Sequence, residues 1–134
     1  ENVLIGKDKR MKICDFGLAR SLVSDKEGGD MILTEEVATR WYRAPEVLLG
    51  SQTYEKSADI WSIGCIMGEL LNGKPMFPGN ATLNQLERII SFTGNPSKED
   101  IYSLNSEVAS SMMGSLNQFK VKDLKDWFKS DVPS

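Results

Sequence analysis

The chain has 134 residues, of which 40% are hydrophobic and 26% charged, a composition typical of one soluble globular domain. Its 16 Lys and Arg residues against 19 Asp and Glu residues leave a net charge of −3. This balance gives no electrostatic reason to expect nucleic acid or an anionic membrane as partner. Because the chain contains no histidine, it cannot build a Cys/His zinc site, a Cys–His nucleophile or a Ser–His–acid triad.

The two cysteines, Cys14 and Cys65, are far apart in the sequence, and no apolar run resembles a signal peptide or a membrane span. These features predict reduced thiols in a cytoplasmic or nuclear protein. The chain begins with Glu1 rather than Met and ends in a loop-like sequence, so we expect a piece of a longer polypeptide.

Two short apolar runs near the start flank a stretch of glycine and charged residues, a pattern that predicts a β-hairpin over residues 2–15. If the turn centres between Asp8 and Lys9, Asn2 lies opposite Asp15 at the open end. Directly opposed side chains in antiparallel strands have Cβ atoms about 4.5–5.5 Å apart. The spacing therefore predicts a carboxamide and a carboxylate side by side.

Residues 16–46 follow no regular period, and a stretch of that length inside a compact domain is usually functional or disordered. At its end, Pro45 and Gly50 predict the start and the stop of a short helix.

The strongest helix prediction runs from Ala58 to Leu71, with Ser57 as its N-cap. Apolar residues cover most of its circumference, so we expect a buried helix at the centre of the core. Gly64 and Gly68, one turn apart, would let another backbone approach closely.

A second helix is predicted over residues 82–92, where Leu83, Leu86 and Ile90 form an apolar stripe that ends before Gly94. The sequence then predicts several shorter helices. The first opens with a capping box at residues 97–100, and two amphipathic helices follow at residues 107–113 and 121–128. The expected fold is mainly α with one small hairpin.

Two tripeptides stand in order along the chain. Directly after the second predicted strand comes Asp15-Phe16-Gly17, and after the irregular stretch comes Ala44-Pro45-Glu46. Together with the preceding Thr39-Arg40-Trp41-Tyr42-Arg43, they resemble the protein-kinase signature set. Almost the whole chain resembles the C-terminal lobe of a eukaryotic protein kinase, in the branch that holds the mitogen-activated and cyclin-dependent kinases.

The resemblance implies one partial kinase domain of α+β type over residues 1–134, beginning at the end of the catalytic loop. Its parts would be a metal-binding hairpin over 2–15, an activation segment over 15–46, a helical lobe over 57–94 and a kinase insert over about 96–128. Apolar residues of the insert are predicted to pack on the lobe rather than to form a docking face. They are Leu104, Met112, Met113, Leu116, Leu124, Trp127 and Phe128.

The resemblance also implies ATP and Mg²⁺ as cofactors. Asn2 and Asp15 would be the metal ligands, because hard oxygen donors suit Mg²⁺ and phosphoryl transfer depends on neutralising phosphate charge. Cys14, Phe16 and Gly17 would line the nucleotide site beside them. The family's catalytic base precedes the first residue here, so we expect no catalytic residue in this chain and no phosphate transfer by it alone.

By the same resemblance, Thr34 is a regulatory phosphoacceptor, modified by an upstream kinase or by autophosphorylation, whose phosphate pairs with Arg20. Glu36 departs from the pattern, because mitogen-activated kinases carry tyrosine there. One hypothesis is that Glu36 partly mimics a phosphotyrosine facing Arg40 and Arg43. The alternative is that it only solvates a loop, since an exposed ion pair is worth about 0–1 kcal/mol.

Trp41, Tyr42 and Arg43 resemble the wall that accepts proline after the phosphoacceptor, and Thr39 resembles the threonine that contacts the catalytic base. A site without a hydrogen-bond acceptor there penalises proline less than other residues, because proline lacks a backbone N–H. The implied activity is that of a proline-directed Ser/Thr kinase acting on Ser-Pro or Thr-Pro sites in proteins.

Three further residues match structural anchors of the family. Asp59 matches a helix aspartate of the family that holds the catalytic loop, and Trp61 matches the tryptophan two residues after it. The alternative for Asp59 is an ordinary first-turn carboxylate, which the helix dipole also stabilises. Glu46 matches a glutamate whose arginine partner the family places after the end of this chain.

Two alternatives to the kinase interpretation stay open. A pseudokinase or scaffold would keep the fold and lack transfer, although the retention of Asn2, Asp15, Phe16 and Gly17 argues against it. The fragment could also be an interaction module in its own right, for which we expect marginal stability.

Overall fold

The computed structural model describes residues 2–17, 19, 40–51, 56–116, 119–121 and 123–128. The chain divides into two compact units, Glu1–Ile32 and Leu33–Ser134, and each is described by itself. The first contains β1 (Val3–Ile5) and β2 (Met11–Ile13). The second contains α1 (Pro45–Leu48), α2 (Lys56–Asn72), α3 (Thr82–Thr93), α4 (Lys98–Ser103), α5 (Glu107–Gly114) and α6 (Leu124–Trp127). The expected mainly helical fold with one hairpin is confirmed.

The two strands pair antiparallel, but their register differs from the predicted one by a residue. Leu4 lies opposite Lys12. The same register sets Asn2 opposite Cys14, whose N–H donates to the Asn2 carbonyl at 2.9 Å, and leaves Asp15 beyond the paired residues. The predicted pairing of Asn2 with Asp15 is therefore wrong.

The turn between the strands explains the shift. The Gly6 N–H donates to the Arg10 carbonyl at 2.8 Å, and the Lys9 N–H donates to the Gly6 carbonyl at 2.9 Å. Three residues rather than two thus form the loop, and Lys9 has a φ of 61°, the left-handed conformation that closes such a loop. Asp8 accepts hydrogen bonds from the Arg10 side chain and backbone, which lower the pKa of its carboxyl.

Helix α1 begins at Pro45 as predicted, and Gly50 follows it with a φ of 73°. Helix α2 begins at Lys56, which places Ser57 inside the first turn, so the prediction of Ser57 as N-cap is wrong. The end of α2 is as predicted, because Gly73 adopts a φ of 68° and its N–H donates to a helix carbonyl at 2.7 Å.

Helix α2 is buried on one side only, where Cys65 and Gly68 lie. Trp61 and Ile66 are half-buried. Five other apolar side chains of the helix are 50–73% exposed: Ile60, Ile63, Met67, Leu70 and Leu71. The prediction of burial on all sides is therefore wrong for the part of the chain that the structure describes, because the described elements pack against a single face of α2.

The two glycines of α2 also differ. A Cβ at Gly68 would come within 2.6 Å of the Met76 side chain, whereas one at Gly64 would meet no described atom within 4 Å. Close approach is thus required at Gly68 alone, and the group that approaches is a side chain rather than a backbone.

The later helices largely follow the sequence prediction. Helix α3 ends at Thr93, with Gly94 as its C-cap. Helix α4 begins with the expected capping box, in which the Asp100 N–H donates to Ser97 Oγ at 3.0 Å and the Ser97 N–H donates to Asp100 Oδ2 at 2.9 Å. These bonds lower the pKa of the Asp100 carboxyl. Helix α6 is shorter than the predicted 121–128.

Two apolar clusters form the core of the helical unit. The first is built on Leu49, Leu86 and Ala109. Five partly buried apolar side chains from the predicted insert pack against it: Ile101, Leu104, Met112, Met113 and Leu116. The second is built on Cys65, Phe77 and Ile89. The Trp127 ring lies edge-on to Phe77 and Phe92, with its centroid 5.0 Å from that of Phe92. Packing of the insert on the lobe is therefore observed at these residues.

No described helix is long and apolar enough to cross a membrane.

Candidate nucleotide and substrate sites

The open end of the hairpin carries the predicted metal-binding aspartate. Asp15 has a φ of 60°, which is uncommon for a residue other than glycine. Its Oδ1 accepts a hydrogen bond from the Gly17 N–H at 3.2 Å, so the carboxylate closes the turn that follows β2. The side chain is exposed, and no described residue donates a hydrogen bond to Oδ2. A carboxylate oxygen is thus available to a cation.

Asn2 and Asp15 fit the chemistry of Mg²⁺. Both offer hard oxygen donors, and Mg²⁺ is usually bound by one or two such side chains together with phosphates and water. In the described ranges, no group of three or more Cys, Asp or Glu side chains could hold a metal ion. Asn2 and Asp15 therefore suit a Mg²⁺ ion that also has phosphate and water ligands.

The residues around Asp15 are accessible to a ligand. Cys14 is a half-buried free thiol, and the Phe16 side chain is 69% exposed. The contact of Cys14, Phe16 and Gly17 with a nucleotide stays a prediction.

In the helical unit, the residues before α1 are held by α2. The Tyr42 hydroxyl donates to Glu69 Oε2 at 2.6 Å, and Ser62 Oγ donates to the Tyr42 carbonyl at 2.8 Å. Burial first, then the hydrogen bond to Glu69, then the charges of Glu69 and Cys65, raise the pKa of Tyr42 to about 12. The phenol therefore stays protonated at neutral pH and acts as a donor.

The same residues are held a second time by the loop before α3 and by α3 itself. Trp41 Nε1 donates to the Gly79 carbonyl at 2.9 Å, and Arg40 donates to the Asn80 carbonyl at 3.3 Å. Gln85, which is fully buried, accepts from the Gly79 N–H at 3.0 Å and donates to the Trp41 carbonyl at 3.5 Å. Two of these contacts hold a residue of the predicted substrate wall, because they fix the ring and the carbonyl of Trp41.

The Arg43 Nη2 atom is buried and has no hydrogen-bond partner among the described residues, and the same holds for Trp61 Nε1. Buried donors without partners are rare in folded proteins.

The three predicted anchors occupy different environments. Trp61 is half-buried and stacks on Phe77 with ring centroids 6.0 Å apart. Asp59 lies exposed in the first turn of α2, and Glu46 lies half-buried in the first turn of α1. The roles of Asp59 and Glu46 toward the catalytic loop and an arginine stay predictions.

Four predicted residues of the activation segment lie outside the described residues: Arg20, Thr34, Glu36 and Thr39.

Sequence reasoning missed the residues that hold the substrate wall, namely Ser62, Glu69, Gly79 and Gln85. One of them carries a signal in the sequence. Gln85 precedes Leu86 and lies one turn before Ile89, so a polar side chain occurs on an apolar stripe. A polar residue on a buried face is expected to be hydrogen-bonded.

Comparison with known proteins shows to which protein family the chain belongs. The family described as the protein kinase domain matches residues 1–126, and the chain belongs to this family.

Within the class, the chain is similar to mitogen-activated protein kinases. It is 49% identical over 133 residues to mitogen-activated protein kinase 15 of Xenopus laevis, covering 98% of this chain and 23% of that protein. It is 52% identical over 131 residues to extracellular signal-regulated kinase 2 of Dictyostelium discoideum, covering 96% of this chain and 36% of that protein. It is 47% identical over 121 residues to mitogen-activated protein kinase PMK1 of Pyricularia oryzae, covering 90% of this chain and 33% of that protein. The chain thus spans roughly a quarter to a third of these relatives.

Proposed function

We propose that the protein containing this chain is a proline-directed Ser/Thr kinase of the mitogen-activated type, which transfers the γ-phosphate of ATP to Ser-Pro or Thr-Pro sites in proteins. The observation that carries the proposal is the position of Asp15-Phe16-Gly17, which begins one residue after the end of β2, in a chain that belongs to the protein kinase family. The names of the mitogen-activated relatives support the finer assignment.

At the hairpin, Asn2 and Asp15 would hold Mg²⁺. The ion, when bound, neutralises charge on the nucleotide phosphates. The left-handed backbone of Asp15 and its hydrogen bond from Gly17 fix one carboxylate oxygen before any ligand arrives. A ligand group oriented in advance loses less freedom on binding, which favours both affinity and transfer. Cys14, Phe16 and Gly17 would line the nucleotide beside this group.

In the helical unit, Trp41, Tyr42 and Arg43 would form the wall against the residue after the phosphoacceptor. The Trp41 carbonyl already accepts from Gln85, and the Tyr42 carbonyl already accepts from Ser62. Each carbonyl already has one hydrogen-bond donor within the protein, which leaves it less available to a substrate N–H. A proline, which has no N–H to satisfy, is favoured at such a position.

Regulation would act through the activation segment. Thr34 would receive a phosphate from an upstream kinase or by autophosphorylation, and Arg20 would pair with that phosphate. That the buried Nη2 of Arg43 has no hydrogen-bond partner among the described residues supports the idea that a negative group, such as Glu36, faces it. Two free thiols support a cytoplasmic or nuclear location.

The test is phosphorylation of a Ser-Pro peptide, with a matched Ser-Ala peptide, by the complete protein that contains this chain. We expect Mg²⁺-dependent transfer that prefers the Ser-Pro peptide. Asp15→Asn should reduce kcat/KM by about 10²-fold or more, because charge stabilisation at the phosphates is lost. Asp8→Asn, the same change at an exposed aspartate of the same hairpin, should leave kcat/KM nearly unchanged.

Two results would contradict the proposal in different ways. Equal phosphorylation of the two peptides would remove the proline specificity. A folded protein that transfers no phosphate would instead favour the pseudokinase or scaffold.

A further inference from the structure

The turn of the hairpin, residues 6–12, concentrates positive charge in a chain that is acidic as a whole. These residues carry four cations and one carboxylate, whereas the whole chain has a net charge of −3. The four cations are all exposed: Lys7, Lys9, Arg10 and Lys12. Because lysine and arginine are almost never buried without a partner, we expect this basic turn to lie at the surface of the complete protein.

The one carboxylate of the basic turn is already engaged. Asp8 Oδ2 accepts from Arg10 Nε at 2.6 Å, and Asp8 Oδ1 accepts from the Arg10 N–H at 3.1 Å. In the described part of the chain, no carboxylate pairs with Lys7, Lys9 or Lys12. Three ammonium groups are therefore available to carboxylates of another molecule.

The backbone of the basic turn is fixed before a partner arrives. The Gly6 N–H donates to the Arg10 carbonyl at 2.8 Å, and the Lys9 N–H donates to the Gly6 carbonyl at 2.9 Å. The two hydrogen bonds between Asp8 and Arg10 close the same loop. A surface that is ordered in advance loses less conformational entropy on binding, which favours affinity.

We propose that the basic turn is a docking surface for an acidic segment of another protein, whose spaced carboxylates pair with Lys7, Lys9 and Lys12. This surface differs from the candidate nucleotide site, because the turn lies between the two strands and Asp15 lies at the open end of the hairpin. The proposal goes beyond the proposed function, since binding at the turn requires no phosphate transfer.

An acidic protein segment fits the basic turn better than nucleic acid does. The rest of the chain is acidic overall, so it would repel a long polyanion that extends beyond the turn. Ile5 and Met11, the cross-strand pair beside the turn, are 71% and 65% exposed. Apolar surface next to cations suits a peptide that carries apolar side chains next to its carboxylates.

The test measures peptide binding by the complete protein that contains this chain. The probe is the fluorescein-labelled peptide Gly-Glu-Leu-Glu-Glu-Leu-Glu-Gly, followed by fluorescence anisotropy. The same peptide with lysine in place of every glutamate and a labelled oligothymidylate of matching length are measured beside it. The main variant combines Lys7→Gln with Lys9→Asn, because asparagine tolerates the left-handed conformation that Lys9 adopts.

We expect the wild type to bind the acidic peptide and the double variant to bind it about three- to tenfold more weakly, the loss of two exposed ion pairs. Asp8→Asn should instead lower the Kd about twofold, because it removes the one negative charge of the turn. A gain in affinity cannot result from misfolding. Raising the NaCl concentration from about 0.05 to 0.3 M should reduce both differences, because salt screens exposed charges.

The matched control combines Lys74→Gln with Lys98→Gln, two exposed lysines of the helical unit. This variant changes the net charge by the same amount and should leave the Kd of the acidic peptide unchanged. The Kd of ATP with Mg²⁺ should be the same in all these proteins.

Several results would overturn the docking surface. They are no binding of the acidic peptide by wild type, an unchanged Kd in the Lys7 and Lys9 variant, an equal loss in the control variant, and equal binding of the lysine peptide. Oligothymidylate binding as tight as that of the acidic peptide would also overturn it and would indicate a nucleic-acid surface. A complete protein that transfers no phosphate but shows the expected peptide binding would contradict the proposed function alone.

Discussion

Helices α2 and α3 are both rich in apolar residues, yet they are buried to very different extents. On α3, Gln85, Leu86, Ile89 and Ile90 are all buried on one face. On the longer α2, only Cys65 and Gly68 are buried. An amphipathic pattern therefore specifies which side of a helix enters the core, whereas an apolar pattern on all sides does not.

The buried faces of α2 and α3 also differ in the chemical groups that they carry. On α2 the face includes groups that ionise or hydrogen-bond, namely the Cys65 thiol and the Glu69 carboxylate bonded to Tyr42. On α3 it is apolar except for Gln85, whose amide cannot ionise. We therefore expect α3 to contribute most to stability and α2 to contribute the contact that is sensitive to alkaline pH.

The largest expected effect is at Leu86, which is 1% exposed in the first core cluster. Leu86→Ala should lower the free energy of unfolding by about 2–5 kcal/mol, because a buried cavity is created. Leu83→Ala is the matched change on the same helix at a residue 42% exposed, and it should cost about 1 kcal/mol or less. Urea unfolding of the complete protein measures both. Equal losses would contradict the assignment of the buried face.

A smaller effect should distinguish the two glycines of α2. Gly64→Ala should stabilise the protein by up to about 1 kcal/mol, because alanine favours the helix and no described atom lies nearby. Gly68→Ala should instead force Met76 to move, and overpacking of this kind costs about 1–3 kcal/mol. Thermal unfolding of the two variants measures the difference. A Gly68→Ala variant as stable as Gly64→Ala would show that Met76 adapts without cost.

The smallest effect should appear at alkaline pH. Burial, with the charge of Glu69 second, raises the pKa of Cys65 to about 11. A thiol that ionises less readily when folded contributes stability that is fully present below about pH 9 and lost as the pH rises through 11. Tyr42 should act in the same direction between about pH 10 and 12.

The measurement is the free energy of unfolding from pH 8 to 11 for wild type, Cys65→Ala and Leu83→Ala. The decline with pH should be shallower in Cys65→Ala than in wild type, and unchanged in Leu83→Ala. Equal slopes in all three proteins would contradict the raised pKa of Cys65.

Local signals in the sequence predicted most element boundaries. Pro45 and Gly50 predicted the limits of α1, and the capping box at Ser97 and Asp100 predicted the start of α4. The capping box works because its side chains satisfy backbone groups at the helix end, and Pro45 works because its fixed φ and missing N–H suit the first helical position. Ser57 failed as a cap because α2 begins before it.

The hairpin register could not be predicted in the same way. It depends on whether the loop has two or three residues, which is decided by the left-handed conformation of Lys9. Lysine carries no strong preference for that conformation, unlike glycine or asparagine. The stripe on α3 was also partly wrong, because Leu83 is 42% exposed while Ile89 is buried.

At the candidate sites, the sequence predicted the residues that would contact ligands. It did not predict the residues that keep those side chains in place by hydrogen bonds. Asp15, Trp41 and Tyr42 were identified from linear motifs. Glu69 and Gln85, which hold the wall through contacts distant in sequence, were not, because nothing in a linear motif indicates which residues meet in the folded chain.

The proposed role of Asp15 is to bind the Mg²⁺ that accompanies a nucleotide. Calorimetric titration of the complete protein with ATP, with and without Mg²⁺, tests this role in wild type, Asp15→Asn and Asp8→Asn. We expect Mg²⁺ to tighten ATP binding in wild type and Asp8→Asn, and to do so much less in Asp15→Asn. An equal effect of Mg²⁺ in all three proteins would show that Asp15 does not bind the ion.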